Sequence, residues 1–270
     1  MTACAIRMQG VVAQAGGRVL LDGIDLSVAH GERVAIVGHN GAGKSSLLKL
    51  MTGIMHPSHG EVDVLGFPMQ RPLPSRELRR LRADVGQVFQ GLHLVQRLTV
   101  LENVLLGSLA RNRSPLTWAR LFPRDEIRRA EAALQQVGLI GKADARADSL
   151  SGGERQKTAI ARMLLQAPRL ILADEPTAAL DPLAAADIAS MLSGLAQRQH
   201  MTLVTVVHDP GLLAVLADRV IGMRQGKIAF DLPVAQVGDE RLNRLYSDKP
   251  DARNWITRLE RAAHPIGEQP

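Results

Sequence analysis

Val34-Ala35-Ile36-Val37-Gly38-His39-Asn40-Gly41-Ala42-Gly43-Lys44-Ser45-Ser46-Leu47-Leu48 is the stretch on which the reading of the whole chain turns. Gly38 to Ser45 fit Gly-x-x-x-x-Gly-Lys-Ser, a loop pattern whose backbone N–H groups cradle phosphate. Glycines at these places let the donors face an anion with no Cβ in the way. Lys44 is expected to reach the β- and γ-phosphates of a nucleotide, and the Ser45 hydroxyl to ligate Mg²⁺. The flanks agree with this. Residues 34–37 form a short apolar run suited to a buried strand, and 46–51 read as a helix whose N-terminal dipole adds to the attraction for an anion. Gly38, His39, Asn40, Gly41, Ala42, Gly43, Lys44, Ser45 and Ser46 are therefore the expected nucleotide-binding segment.

The bulk of the chain sets bounds on what surrounds that loop. With 270 residues it can form one large domain or two modest ones. Apolar residues at 46% and charged ones at 22% are an ordinary globular balance, which argues against disorder. A net charge of +6 invites a nucleic-acid reading. An aromatic content of 3% works against it, because single-stranded bases would find few rings to stack on. Arg76, Arg79, Arg80 and Arg82 instead suit a solvated face, or one turned to a membrane or a membrane partner. The single cysteine, Cys4, excludes an intramolecular disulfide and suits a reducing compartment. There is no secretory leader pattern and no apolar run of about 20 residues, so any membrane role is expected to come through a partner.

Taken in order, residues 4–30 read as antiparallel sheet: Ile24, Leu26 and Val28 alternate with Asp25, Ser27 and Ala29, and Gly16-Gly17 separates two apolar runs. Residues 61–66 form another alternating strand, 71–83 a basic helix and 85–89 a strand. Helices are expected over 98–110, 125–137 and 153–166, making the middle of the chain a helical insert. Strands at 169–173, 203–207 and 219–223 then alternate with a helix that begins at Pro182. Strands alternating with helices predict a mostly parallel sheet.

Leu170-Ile171-Leu172-Ala173-Asp174-Glu175 is an apolar strand that delivers two carboxylates at its C-terminal end, the edge where open α/β sheets bind ligands. Alone, such a pair could be a solvated loop. With the phosphate loop upstream, Asp174 is expected to hold Mg²⁺, and Glu175 to orient and deprotonate an attacking water. Ser151-Gly152-Gly153-Glu154-Arg155-Gln156 has a residue able to cap the next helix and two glycines that free backbone donors. Lying between the phosphate loop and Asp174-Glu175-Pro176-Thr177, this string resembles the signature of the ATP-binding cassette (ABC) ATPases. Gln90 resembles that family's Q-loop glutamine, Ala178-Ala179-Leu180-Asp181 its D-loop and His208 its switch histidine, all in family order.

The resemblance implies a P-loop NTPase core with a mostly parallel sheet, an N-terminal antiparallel β subdomain and an inserted α-helical subdomain. The ATPase domain would span 4–246, with the helical insert at about 91–166 and a short tail at 247–270. ATP and Mg²⁺ are the implied ligands. Ser45, Gln90 and Asp174 would serve the metal, and Glu175, His208 and Gln90 the chemistry. Ser151 and Gly153 would contact the γ-phosphate of ATP held by a second cassette, with Gly152 and Asp181 also among the nucleotide-binding residues, so the chain should work as a homodimer or beside a related subunit. Family members usually stack an aromatic on adenine upstream of the loop; here the matching position is Ala15, and no aromatic precedes Phe67. Base contact would fall to Val19 or to the Arg18 guanidinium, and adenine discrimination is expected to be weak.

Val88 to Val104, together with the stretch from Gly107 through Trp118 to Phe122 and the stretch Arg224 to Asp231, resemble the ATPases of phosphonate importers. The implied partners are a membrane permease and, through it, a solute-binding protein; the implied location is the cytoplasmic side of the (inner) membrane, with no nucleic acid bound. Export of lipoproteins or peptides, import of amino acids, and a soluble ABC-type ATPase acting on nucleic acid are the alternatives. Trp255, Ile256 and Leu259 fall on one side of a possible short helix in the tail.

Overall fold

A computed structural model describes residues 4–89, 91–110 and 122–246. Gln90, Trp118 and the tail from Ser247 lie outside them. Two sheets organise the fold. Strands β1 (Cys4–Ala15), β2 (Arg18–Ala29), β4 (His59–Val64) and β5 (Phe67–Pro68) form an antiparallel sheet in the order β2-β1-β4-β5. Strands β3 (Arg33–Val37), β6 (Val85–Val88), β7 (Leu170–Asp174), β8 (Thr202–Val206), β9 (Arg219–Arg224) and β10 (Lys227–Pro233) form the second, in the order β10-β9-β3-β8-β7-β6. Five of these run parallel and β10 closes the edge antiparallel to β9.

Burial follows the alternation read from the sequence. In β2, Ile24, Leu26 and Val28 are buried while Asp25 and Ser27 are exposed, so one face of the antiparallel sheet packs inward. Val34 to Val37, Leu170 to Ala173 and Leu203 to Val206 are buried throughout, as strands covered on both faces must be. Helix α1 (Lys44–Met51) inserts Leu47, Leu50 and Met51 into a core shared by both sheets, including Ile6, Ile36, Val62 and Leu172.

Helices α3 (Val100–Leu105), α4 (Arg124–Gln136) and α5 (Gly152–Gln166) gather on the other side of the parallel sheet with α6 (Pro182–Arg198). Several ends differ from the sequence expectation for local reasons. The basic helix α2 runs Ser75–Asp84 rather than from 71, because Pro74 sits at its N-cap in an extended conformation. The expected 98–110 helix is α for Val100–Leu105 and tightens to a 3₁₀ turn over Leu106–Ser108. Thr99 and Glu102 form a capping box that fixes its start. At its end a Cβ on Gly107 would stand 2.2 Å from the Arg162 carbonyl oxygen of α5, so the two segments touch backbone to side-chain-free backbone. Strand β10, the short α7 (Leu213–Leu216) and α8 (Asp239–Tyr246) are additions that the sequence reading did not include.

Because β3, β7 and β8 are parallel neighbours, their C-terminal ends emerge on one edge of the sheet. That geometry brings Gly38, Asp174 and His208 to one place from widely separated stretches of chain.

Candidate active site

The loop after β3 is held open by close packing from below. Gly38 has φ of 151°, and a Cβ there would come within 2.3 Å of the Met223 carbonyl oxygen of β9. No side chain fits, which is the structural reason for glycine at the first position of the motif. The buried Gly38 N–H donates to the Tyr246 hydroxyl of α8 at 3.2 Å. Lys44 is almost fully buried, and its Nζ donates to the carbonyls of Gly38 at 2.7 Å and His39 at 3.1 Å. Burial lowers its pKa, and the carboxylates of Glu175 and Asp174 act the other way. The ammonium thus caps its own loop and stands in the field of both acids.

A cleft opens over this loop. Asn40, Gly41, Gly43, Lys44, Ser45 and Ser46 form its floor, Glu175 one side, and Val19, Leu20, Gln225 and Gly226 the other. Of the two residues expected to meet a base, Val19 lines the cleft and Arg18 is not among the lining residues.

At the end of β7, Asp174 accepts a hydrogen bond from the Ser45 side chain, while its Oδ1 is buried with no partner among the described residues. Burial, then repulsion from Glu175, pushes the Asp174 pKa above its ordinary value, against the pull of Ser45, Lys44 and His208. An uncompensated buried carboxylate oxygen beside a hydroxyl is a donor set that suits a hard cation. Among the described residues no group of three or more His, Cys, Asp or Glu side chains could hold a metal by themselves. Mg²⁺ has no need of one, since it commonly takes one or two protein oxygens and completes its shell from substrate phosphates and water. The residues present fit that ion.

Glu175 follows with φ of 52°, in the left-handed region although it is not glycine and although Pro176 comes next. Such a conformation costs of order 1–3 kcal/mol and is kept where surrounding contacts over-determine it. The Ala178 N–H donates to the Glu175 carbonyl at 3.1 Å, closing the turn. The strain aims the carboxylate at the cleft, where Oε1 lies 2.6 Å from Nε2 of His208. His208 stands two residues beyond Val206, which pairs with Asp174 across β7 and β8, so parallel register alone sets this meeting.

The signature residues lie elsewhere. Ser151 is the N-cap of α5, in a capping box with Glu154, and is exposed. Lys142 and the Ser151 backbone hold the Glu154 carboxyl down to about 2. Asp181 caps α6 by accepting from the Ala184 N–H at 2.9 Å. The structure thus brings Gly38 to Ser46, Asp174, Glu175 and His208 together. It leaves Ser151, Gly152, Gly153 and Asp181 off the lining of the same cleft, on surfaces of their own helices' starts.

Four residues had no site role in the sequence reading: Gln225, Gly226, Tyr246 and Arg162. Gln225 and Gly226 line the cleft from the β9–β10 hairpin; Gly226 followed by alternating Ile228, Phe230 and Leu232 was the available turn signal. Tyr246 touches Gly38 across more than two hundred residues, and no local pattern announces that. Arg162 of α5 donates to the carbonyls of Leu92 at 2.7 Å and His93 at 2.9 Å, two consecutive residues of positive φ just after the Gln90 position.

The sequence profile of the ABC transporter family matches residues 21–178. The phosphonates import ATP-binding protein PhnC 2 of Synechococcus sp. is 40% identical over 233 residues, covering 86% of this chain and 86% of that one. Among solved structures, cbiO1 from Clostridium perfringens, part of the ABC transporter complex cbiONQ, superposes with a TM-score of 0.76 at 27% identity, over 97% of this chain and 98% of that one. The dimeric post-hydrolysis state of the ATP-binding cassette MJ0796, bound to ADP and Pi, gives a TM-score of 0.73 at 31% identity, over 85% and 98% respectively.

Proposed function

From the premise that this chain belongs to the ABC transporter family, we propose that it is the ATP-hydrolysing subunit of an importer of phosphonates. The observation that carries the hydrolytic part is the Glu175–His208 pair facing the Lys44 loop at the strand ends. The solute class rests on relatives named for phosphonate import. No helix among the described residues is long and apolar enough to cross a membrane. The chain is therefore read as peripheral, on the cytoplasmic side of a membrane permease that receives solute from a binding protein. It binds no nucleic acid in this reading.

The loop N–H groups and Lys44 hold the β- and γ-phosphates of ATP. When bound, Mg²⁺ neutralises charge on those phosphates; Ser45 and Asp174 are the residues that hold it, with Gln90. Glu175 accepts a proton from a water whose oxygen attacks the γ-phosphorus, the bond to the β–γ bridging oxygen breaks, and ADP and phosphate leave. His208 positions Glu175 and that water. Ser151 and Gly153 at the start of α5, with Asp181 beside it, serve the nucleotide of a second copy. This accounts for their absence from the chain's own cleft.

Reconstitution with a cognate permease and a phosphonate-loaded binding protein tests the reading. ATP turnover should rise when loaded binding protein is added, and phosphonate should accumulate in the vesicle lumen. Stimulation by DNA or RNA instead, or by a different class of solute, would overturn it.

A further inference from the structure

The cleft has no aromatic ring on its nucleoside side, since none precedes Phe67 in the chain and Val19, Leu20, Gln225 and Gly226 are what stands there. Gln225 is unusual among these. It occupies the first turn position of the β9–β10 hairpin with φ of 49°, and Gly226 follows with φ of 78°. A two-residue turn of this kind selects Asn, Asp or Gly at its first position, because short side chains tolerate the left-handed region there. Glutamine is neither short nor favoured. A strained backbone at the wall of a ligand cleft points to a task for the side chain.

The turn is also fixed in place. The Gly226 N–H donates to the Ala42 carbonyl at 3.0 Å, and the Gly226 carbonyl accepts from the Asp22 N–H at 2.9 Å. A Cβ on Gly226 would lie 2.8 Å from the Leu20 carbonyl oxygen, so the hairpin presses directly on the β1–β2 hairpin. One bond thus pins the turn to the phosphate loop and the other to the N-terminal sheet. Gln225 is presented at the cleft by a rigid mount, next to Val19, whose side of the cleft is apolar and more than half exposed.

We propose that Gln225 is the residue that reads the base of the bound nucleotide. Its carboxamide offers one acceptor and two donors in a plane. That is the arrangement with which Gln or Asn pairs to the N6/N7 edge of adenine, where guanine presents two acceptors instead. Val19 and Leu20 cover the apolar face of the ring in place of a stacking aromatic. The weak adenine discrimination expected from the missing aromatic is thereby sharpened: whatever preference ATP has over GTP resides in this one side chain. The inference rests on the cleft being the nucleotide site.

The test compares the full-length wild-type chain with Gln225→Gly and Gln225→Asn, titrating each calorimetrically with ATP, GTP and inorganic tripolyphosphate. Glycine suits the turn and removes the carboxamide; asparagine suits the turn and keeps a shorter one. The wild type should prefer ATP over GTP by about fivefold or more, the lower end for one bidentate contact. In Gln225→Gly the preference should fall to about one through weaker ATP binding, with tripolyphosphate bound as in the wild type. Gln225→Asn should retain part of the preference, and neither variant should melt below the wild type. An unchanged ATP-to-GTP ratio in Gln225→Gly, or equal weakening of ATP and tripolyphosphate, would overturn the assignment. A wild-type chain that binds neither ATP nor tripolyphosphate would instead overturn the nucleotide site itself.

Discussion

Replacing Tyr246 by Phe removes one oxygen from the contact that joins the last described helix to the first residue of the phosphate loop. The ring keeps its volume, so packing is conserved and the loss is confined to the hydrogen bond at 3.2 Å to the Gly38 N–H. Gly38 is buried, so its N–H gains no water in exchange. Leaving a buried donor unpaired costs about 1–3 kcal/mol, against a net contribution of about 1 kcal/mol for an ordinary exposed bond. A loss of about 2 kcal/mol lowers the melting midpoint by about 4–8 °C in a domain of this size. Thermal denaturation followed by circular dichroism measures it. The effect depends on pH in a defined direction. Burial raises the Tyr246 pKa, and the Gly38 hydrogen bond opposes that only in part. The folded state therefore holds the phenol proton more tightly than the unfolded chain, whose tyrosine ionises near about pH 10. Stability from Tyr246 is full below that value and is lost as pH rises through the folded pKa. The gap between wild type and variant should close in strong base. Gly38 also sets where the loop begins, so ATP should bind the variant severalfold more weakly at neutral pH. Equal melting midpoints at neutral pH, with equal ATP affinity, would refute the claim that α8 braces the loop.

Two further substitutions probe the helical side. Asn103 is fully buried; it accepts from the Val95 N–H and donates to the carbonyls of Val95 and Thr99, which fixes the segment leading into α3. Asn103→Leu leaves the Val95 N–H without its acceptor, while both carbonyls keep a backbone donor, and should cost about 1–3 kcal/mol, read as a lowered urea midpoint. Arg162→Met removes the donors that hold the Leu92 and His93 carbonyls, while the long apolar side chain keeps the packing. Permease-stimulated ATP turnover should then fall by about 5–150-fold, the range of one coupling contact, with ATP affinity unchanged. Equal loss of affinity and turnover would show that Arg162 acts on the nucleotide site and not on the segment after Gln90.

How far the sequence led depends on whether the governing contacts are local. Val34 to Ser45 and Leu170 to Glu175 were readable because a buried parallel strand has a continuous apolar run and each motif sits at its end. The alternation of Ile24, Leu26 and Val28 gave the antiparallel sheet for the same kind of reason. Strand β10 escaped because its residues are alternately exposed and only half-buried, so the apolar face has little contrast. Helix α8 is eight residues long with four charged among them, too short for its period to stand out. The meeting of Gln225 with the phosphate loop, and of Tyr246 with Gly38, depends on strand order, which no window of sequence contains. Family likeness implied only that His208 and Glu175 serve the same chemistry; that they meet follows from the register of β7 against β8. Ser151 and Asp181 were read as nucleotide contacts, and within one chain they are helix caps. The nucleotide role proposed for them needs a second subunit.

That second subunit is the central claim, and Glu175→Gln tests it most directly. The variant keeps the shape of the side chain and removes the base, so ATP and Mg²⁺ should bind without being consumed. Light scattering on the purified variant should then report a particle of twice the 29.2 kDa chain mass when Mg²⁺ and ATP are present, and a single chain when ATP is withheld. A variant that remains at 29.2 kDa while saturated with ATP would contradict the account.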